Sequence, residues 1–387
     1  MPINGFTSGG LDLDRTLVRR DFFQEGNLWV WGAGGAGELG DNAIIHRSSP
    51  VQTVAGGNNW KEVTSNSSRF GLKTDGTLWS WGYNLYGSLG VGDVNRRSSP
   101  TLITTGGSNW RQASGTSANG AAIDSGGGIW TLGRGDLGVL GDATTIHRST
   151  PLWLTSSNTW VQISVGKLVI TGVKTDGTLW TWGKNYNGVI GDSTNSHRTI
   201  PTKIGLGTNW KYAVAAASGT AAAAAIKTDG TLWTWGYAFY GQLGDNTSSG
   251  GTDKSSPVQT VAGGTNWVQV NIGGRSAAAT KTDGTLWVWG DNVNGGLGDN
   301  TVTPKSSPIQ TISGGTNWKQ VAVGYGYMAA IKTDGTLWTW GLNGDGQLGT
   351  NDIAHRSSPV QTIMGGTNWK QVSADFAYTA AISYVDP

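Results

Sequence analysis

The stretch Lys332-Thr333-Asp334-Gly335-Thr336-Leu337-Trp338-Thr339-Trp340-Gly341, followed after four residues by Gly346-Gln347-Leu348-Gly349, decides the fold. Asp-Gly between two strand-like runs signals a hairpin, because a type I′ turn needs positive φ at both central residues. In Leu337-Trp338-Thr339-Trp340 alternate side chains point to opposite faces, so both tryptophans share one face of a sheet. Around this core the chain predicts four short strands, taken as Met328–Lys332, Thr336–Trp340, Pro359–Ile363 and Trp369–Val372. No segment has a helical period long enough to compete with them.

The stretch recurs. The glycine closing the Trp-Gly step falls at Gly32, Gly82, Gly133, Gly183, Gly236, Gly290 and Gly341, at spacings of 50 to 54 residues. A proline segment follows at Pro50, Pro100, Pro151, Pro201, Pro257, Pro308 and Pro359, and a closing tryptophan at Trp60, Trp110, Trp160, Trp210, Trp267, Trp318 and Trp369. Seven repeats of four strands predict an all-β, seven-bladed β-propeller. The ends fit the same reading. Ala380-Ala381-Ile382-Ser383 matches a strand that precedes an Asp-Gly turn, and Gly26-Asn27-Leu28-Trp29-Val30-Trp31-Gly32 starts where the following strand belongs. Residues 378–385 are therefore expected to pair with 26–32, so that one blade is shared between the N- and C-terminal strands and no sheet edge is left at the ends.

Composition supports a packed chain. Charged residues make up 13% and glycines number 63, a balance that in other chains signals disorder, but 21 tryptophans supply the apolar surface a disordered chain lacks. All but Trp153 belong to the Trp-x-Trp-Gly step or the closing tryptophan. Burying one tryptophan removes ~150–250 Å² from water, so packing between blades is expected to dominate stability. A formal charge of +2 without clustered Lys/Arg argues against nucleic acid as a partner. With no cysteine, disulfides and thiolate metal sites are excluded. The start Met1-Pro2-Ile3-Asn4-Gly5 lacks the basic and apolar runs of a signal peptide, and no stretch approaches a membrane span. The chain reads as a soluble protein without a membrane partner.

Trp81-Gly82 with Gly87-Ser88-Leu89-Gly90, Trp235-Gly236 with Gly241-Gln242-Leu243-Gly244, and Trp340-Gly341 with Gly346-Gln347-Leu348-Gly349 resemble the regulator of chromosome condensation repeat family over about residues 26–387. The resemblance implies a seven-bladed propeller with a shared terminal blade. It also implies a range of roles, from nucleotide exchange on small GTPases to chromatin binding and enzyme inhibition. Places where family members often carry a histidine hold Tyr327 and Tyr378, or small residues such as Ala223, and no repeat has a long insertion resembling an exchange factor's wedge. Lys-Thr-Asp-Gly-Thr-Leu-Trp recurs verbatim at 73–79, 174–180, 227–233, 281–287 and 332–338. Such regularity resembles repeat proteins of bacteria and their phages.

Catalytic chemistry finds little support, and neither a cofactor nor a metal site is expected. His46, His147, His197 and His355 all precede the basic residue of the Arg-Ser-Ser-Pro motif or its variants, and so lie around the ring rather than together. Gly32-Ala33-Gly34-Gly35-Ala36-Gly37 fits a dinucleotide fingerprint but no helix follows it. The aspartate turns resemble those of sialidase propellers. Glycoside hydrolysis needs positioned carboxylates, however, and the only glutamates are Glu25, Glu38 and Glu62. Gly-Asp-Asn loops at Asp41, Asp245 and Asp299 offer too few ligands for calcium.

Variation is concentrated in the loops after Trp-Gly, where Tyr83, Tyr86, Tyr186, Tyr237, Phe239 and Tyr240 are the candidate partner-binding residues, with asparagines beside them. Residues 1–23 fall outside the repeat and are taken as an arm, with 24–387 as the propeller. Leu11, Leu13, Arg15, Leu17, Arg19 and Arg20 are the arm's candidate docking residues. The expectation is a non-catalytic structural or interaction protein in a phage particle, capsid-decorating or of the tail or fibre, whose partners are other virion proteins. The alternative is a cytoplasmic bacterial module that binds a protein or glycan.

Overall fold

A computed structural model describes residues 26–64, 68–154, 159–217, 219, 221–247 and 252–384. The arm residues Leu11, Leu13, Arg15, Leu17, Arg19 and Arg20 lie outside the described residues.

Seven four-stranded antiparallel sheets form the molecule. In the first blade the strands are Trp60–Val63, Ser68–Lys73, Leu78–Gly82 and Arg97–Leu102, running in that order from the ring axis outwards. Five more blades follow in sequence. The seventh takes its two inner strands, Trp369–Asp375 and Tyr378–Tyr384, from the C-terminal side and its two outer ones, Gly26–Gly32 and Arg47–Gln52, from the N-terminal side. Gly26 to Gly32 pair with Tyr384 to Tyr378 without interruption, which is the closure expected from the ends.

In the sixth blade the observed strands are Tyr327–Lys332, Leu337–Gly341 and Arg356–Gln361, with Trp318–Val323 innermost. Trp369–Val372, expected as the fourth strand of this blade, belongs instead to the innermost strand of the seventh, because the chain crosses to the next blade after the outer strand. The outer strand starts at the basic residue, three positions before the expected Pro359. Arg356 there pairs with Gly341, and a bulge then lets Val360 and Gln361 resume the ladder. The hairpin turn also differs from the type I′ expected. Only Gly335 has positive φ (79°), and its N–H donates to Lys332 O at 2.9 Å while the Lys332 N–H donates to Thr336 O at 3.0 Å. This is a three-residue loop ending on a left-handed glycine. Asp334 therefore acts through its side chain, accepting from the Thr336 N–H (2.9 Å) and hydroxyl (2.7 Å).

Five residues of the verbatim heptapeptide, Lys332, Asp334, Gly335, Thr336 and Trp338, thus have structural tasks. The Thr336 hydroxyl also accepts from Trp338 Nε1 at 2.8 Å, and Lys332 Nζ sits 4.8 Å from the Trp318 ring and 4.3 Å from the Trp338 ring. The same lysine clamp holds Trp60 and Trp79, Trp160 and Trp180, Trp210 and Trp233, and Trp267 and Trp287. In the second blade Asp124 replaces the lysine and instead accepts from Trp130 Nε1 at 2.9 Å.

The second tryptophan of the Trp-x-Trp step packs between blades. In four of the six steps its indole N–H also bonds to the preceding blade, while among the described residues Trp182 and Trp340 pack without such a bond. Trp31, Trp81, Trp235 and Trp289 are fully buried and donate to Gln347 O, Glu38 O, Val189 O and Gln242 O of the preceding blade at 2.8–3.0 Å. These carbonyls belong to the Gly-x-Leu-Gly segment or, for Val189, its Gly-Val-Ile-Gly variant, whose last glycine must leave room for the indole: a Cβ on Gly349 would lie 2.8 Å from Trp31 Nε1.

Glutamines tie the inner strands together. Gln320 Nε2 donates to Val372 O (3.2 Å) and the Val372 N–H donates back to Gln320 Oε1 (3.0 Å). Gln112, Gln162, Gln269 and Gln371 make the same double bond to Ile163, Ala213, Val321 and Val63 of the next blade.

Candidate functional site

Strand direction places two sets of loops on one end of the ring. Connections between the two inner strands of a blade surround the mouth of the axial channel, and the loops after Trp-Gly lie outside them. The Asp-Gly turns and blade-to-blade connections lie at the opposite end.

All six candidate residues therefore share the loop face, but they divide into two kinds. Tyr83 is covered by the Arg96 guanidinium at 4.9 Å. Tyr86 lies under Arg134 at 5.1 Å and edge-on to His147 at 5.3 Å. Tyr186, in a 3-10 turn spanning Tyr186–Gly188, meets Lys184 at 4.3 Å and His197 at 4.8 Å. Each is a separate ring with its own cation.

Tyr237, Phe239 and Tyr240 instead converge. Tyr237 stacks on Phe239 with centroids 6.3 Å apart, and Phe239 meets Tyr240 edge-on at 5.2 Å. From Tyr240 the cluster continues into residues that sequence reading passed over. Arg275, in the inner-hairpin connection of the fifth blade, is sandwiched between Tyr240 (4.7 Å) and Tyr325 (4.9 Å). Tyr325 in turn stacks on Phe376 at 5.5 Å. Asp291 holds the Arg275 Nη1 at 3.5 Å, leaving the flat faces of the guanidinium to the rings. The result is a ribbon of five aromatic rings and one arginine crossing the fourth to seventh blades beside the channel mouth. Phe239 and Phe376 remain 45% and 52% exposed within it. Burial raises the Tyr237 phenol above its ordinary pKa, and the neighbouring Tyr240 and Asp253 add to the rise.

The asparagines expected beside these rings as recognition groups do another job. Asn84, Asn185, Asn292 and Asn343 are buried. Each accepts from a backbone N–H of its own Gly-x-Leu-Gly segment or its variant and donates to carbonyls across the loop. The histidines brace the same loops: Nδ1 of His147, His197 and His355 accepts from the backbone N–H of Gly135, Asn185 and Asn343 at 3.0–3.1 Å. The Gly-Asp aspartates pair with the basic residue of the following strand, Asp41 with Arg47, Asp245 with Lys254 and Asp299 with Lys305. Among the described residues no group of three His, Cys, Asp or Glu side chains could hold a metal ion, and no helix is long and apolar enough to cross a membrane.

Beneath the loop face, a buried polar cluster around Tyr327 and Tyr378 spans the sixth, seventh and first blades. The Tyr378 hydroxyl donates to Glu38 Oε1 (3.2 Å), and the Tyr327 hydroxyl donates to Asp375 O (3.0 Å) and accepts from Thr379 (3.1 Å). Arg69, wholly buried, lies 5.3 Å from the Tyr378 ring. Burial pushes its guanidinium down to about 10 despite the Glu38 carboxylate, which pulls the other way. The cluster joins Glu38 from the N-terminal side to Tyr378 from the C-terminal side.

Residues 75–121, 176–226, 229–280, 283–331 and 334–382 match the Regulator of chromosome condensation (RCC1) repeat, and 318–347 match a second form of it. The ultraviolet-B receptor UVR8 of Arabidopsis thaliana is 32% identical over 157 residues, 40% of this chain and 35% of the receptor. The chain spans about a third or less of the length of the curated relatives it matches, from 4% to 35%. Among solved structures, Prp20p of Saccharomyces cerevisiae, described with its binding to Gsp1p and histones, superposes with a TM-score of 0.83 at 20% identity, over 96% of this chain and 95% of Prp20p. Human WBSCR16 superposes with a TM-score of 0.81 at 18% identity, over 94% and 100%. At these identities the structures show the shared fold.

Proposed function

The chain belongs to the regulator of chromosome condensation (RCC1) repeat family, and from that premise we propose that it is a non-catalytic interaction propeller that captures a protein on its loop face, over the ribbon from Tyr237 to Phe376. The observation that carries this reading is the ribbon itself. Exposed rings that serve only packing are scattered singly, whereas contiguous aromatics with an arginine are the composition of an interface centre. A family neighbour, Prp20p, is described binding the proteins Gsp1p and histones, which favours a protein partner here.

Tyr83, Tyr86 and Tyr186 form the outer part of the proposed surface, each presenting a ring edge with a neighbouring cation. Residues 1–23 are proposed as an arm appended to a propeller of 24–387, docking through Leu11, Leu13, Arg15, Leu17, Arg19 and Arg20. The virion placement gains no support from the relatives matched, which are cellular proteins of plants and mammals. The heptapeptide repetition that suggested it has a structural explanation in the lysine clamp. The proposal is therefore framed without a particle.

Affinity capture from the native source tests this reading, using the wild type, a Phe239→Ser/Arg275→Glu variant and a Leu206→Ser control in parallel. Leu206 is 93% exposed on the opposite face. Partner recovery is expected to fall about tenfold or more, ~1.4 kcal/mol, with the ribbon variant and to persist with the control. Equal recovery by all three would move the interface off the ribbon.

A further inference from the structure

The innermost strands turn their free edges towards the ring axis, and a cavity of about 200 Å³ lies between them. Five of the seven positions facing it carry the glutamines that spend both amide atoms on the next blade's backbone. The first and fourth blades hold Glu62 and Tyr212 there instead. Neither the Glu62 carboxylate nor the Tyr212 phenol has a hydrogen-bond partner among the described residues.

Glu62 stands to Ala113 as Gln112 stands to Ile163. A glutamine there presents one acceptor to a backbone N–H and one donor to a backbone C=O. A carboxylate offers two acceptors and no donor, and among the described residues no hydrogen bond joins Glu62 to the Ala113 backbone. The half-buried carboxylate lines the lumen, and its donors must come from there. A proton is one: burial pushes the Glu62 carboxyl up to about 7, and Lys61 on the same strand pulls it down only in part. Tyr212 also faces the lumen, its phenol pushed up to about 12 by burial and then by the Glu62 charge. Among the described residues no lysine or arginine lines the cavity. Ionised Glu62 therefore has no counter-ion within the lumen, and an external cation bearing N–H donors answers both the charge and the missing donors. At ~30 Å³ per water, the cavity has room for an ammonium group with a short alkyl chain. The Tyr212 ring offers it a further favourable neighbour.

We propose that the axial channel binds a small primary ammonium compound, its N–H donors shared between the Glu62 carboxylate and the Ala113 carbonyl and flanked by Tyr212. Calorimetric titration of the intact protein with ethylammonium chloride, at about pH 8.5 where the carboxylate is ionised, tests this. Tetramethylammonium chloride supplies the same charge without N–H donors. Saturable one-to-one binding of ethylammonium is expected, weakened about tenfold or more both for tetramethylammonium and in Glu62→Gln. That variant restores the inter-blade brace and so should melt no lower than the wild type, which separates lost binding from lost folding. Absence of saturable ethylammonium binding, or equal binding by Glu62→Gln or of tetramethylammonium, would overturn the proposal.

Discussion

Glu62 stands in a ring of amide braces as the one carboxylate that, among the described residues, lines the axial cavity. Its folded-state pKa of about 7 stands above the ordinary 4.5, so the folded protein holds this proton more tightly than the unfolded chain does. Its contribution to stability is complete below about pH 4.5 and is lost as pH rises through about 7. At ~1.4 kcal/mol per unit, the loss is at most about 3.5 kcal/mol, lessened by the water the lumen admits. Denaturant unfolding of the wild type is expected to show this decline between about pH 5 and 8.5, and Glu62→Gln to flatten it. At this scale the sequence was informative about rings and silent about their company. Tyr237, Phe239 and Tyr240 stood out because they vary inside a regular frame. Arg275, Tyr325 and Phe376 sit in inner-hairpin connections of differing sequence, and only the curvature of the ring brings them beside Tyr240. The asparagines were visible but misassigned, since a polar residue in a variable loop looks the same whether it faces solvent or staples the loop from within.

Within a blade, the alternation of Leu-Trp-Thr-Trp and the Asp-Gly turn made the second and third strands readable almost to the residue. The outermost strand was not, because its start is set by the bulge opposite Gly341 and not by the proline. The turn type was missed because Asp334 works through its side chain, which backbone preference alone does not report. Between blades two devices carry predictions. Gln320→Ala removes both bonds to Val372 and leaves those backbone groups to channel water, a cost of about 1–2 kcal/mol in chemical unfolding. Trp289→Ala empties a fully buried site and breaks the bond to Gln242 O, for which about 3–5 kcal/mol is expected. An effect of Trp289→Ala below that of Gln320→Ala would contradict the view that indole packing holds the blades together more strongly than the glutamine braces do.

For the whole molecule, closure rests on the seven ladder pairs between Gly26–Gly32 and Tyr378–Tyr384, reinforced by Tyr378 and Glu38. The architecture was legible from the two ends because each supplies only part of a blade. A chain ending at residue 377 is expected to lose its single cooperative transition and to aggregate through the strand edge of Gly26–Gly32. A sharp, monomeric melt from that chain would show the ring to be dispensable. Which end of the ring meets a partner was beyond the sequence, since both ends are built from loops. Lysines mark the two ends: Lys167 and Lys184 on the loop face, Lys73, Lys174, Lys227, Lys281 and Lys332 beside the Asp-Gly turns. Lysine-directed cross-linking of the captured complex, read by mass spectrometry, therefore tests the central claim most directly. Partner cross-links at Lys167 and Lys184, suppressed by Phe239→Ser/Arg275→Glu, are the predicted result, and partner cross-links confined to the lysines of the Asp-Gly turns would contradict it.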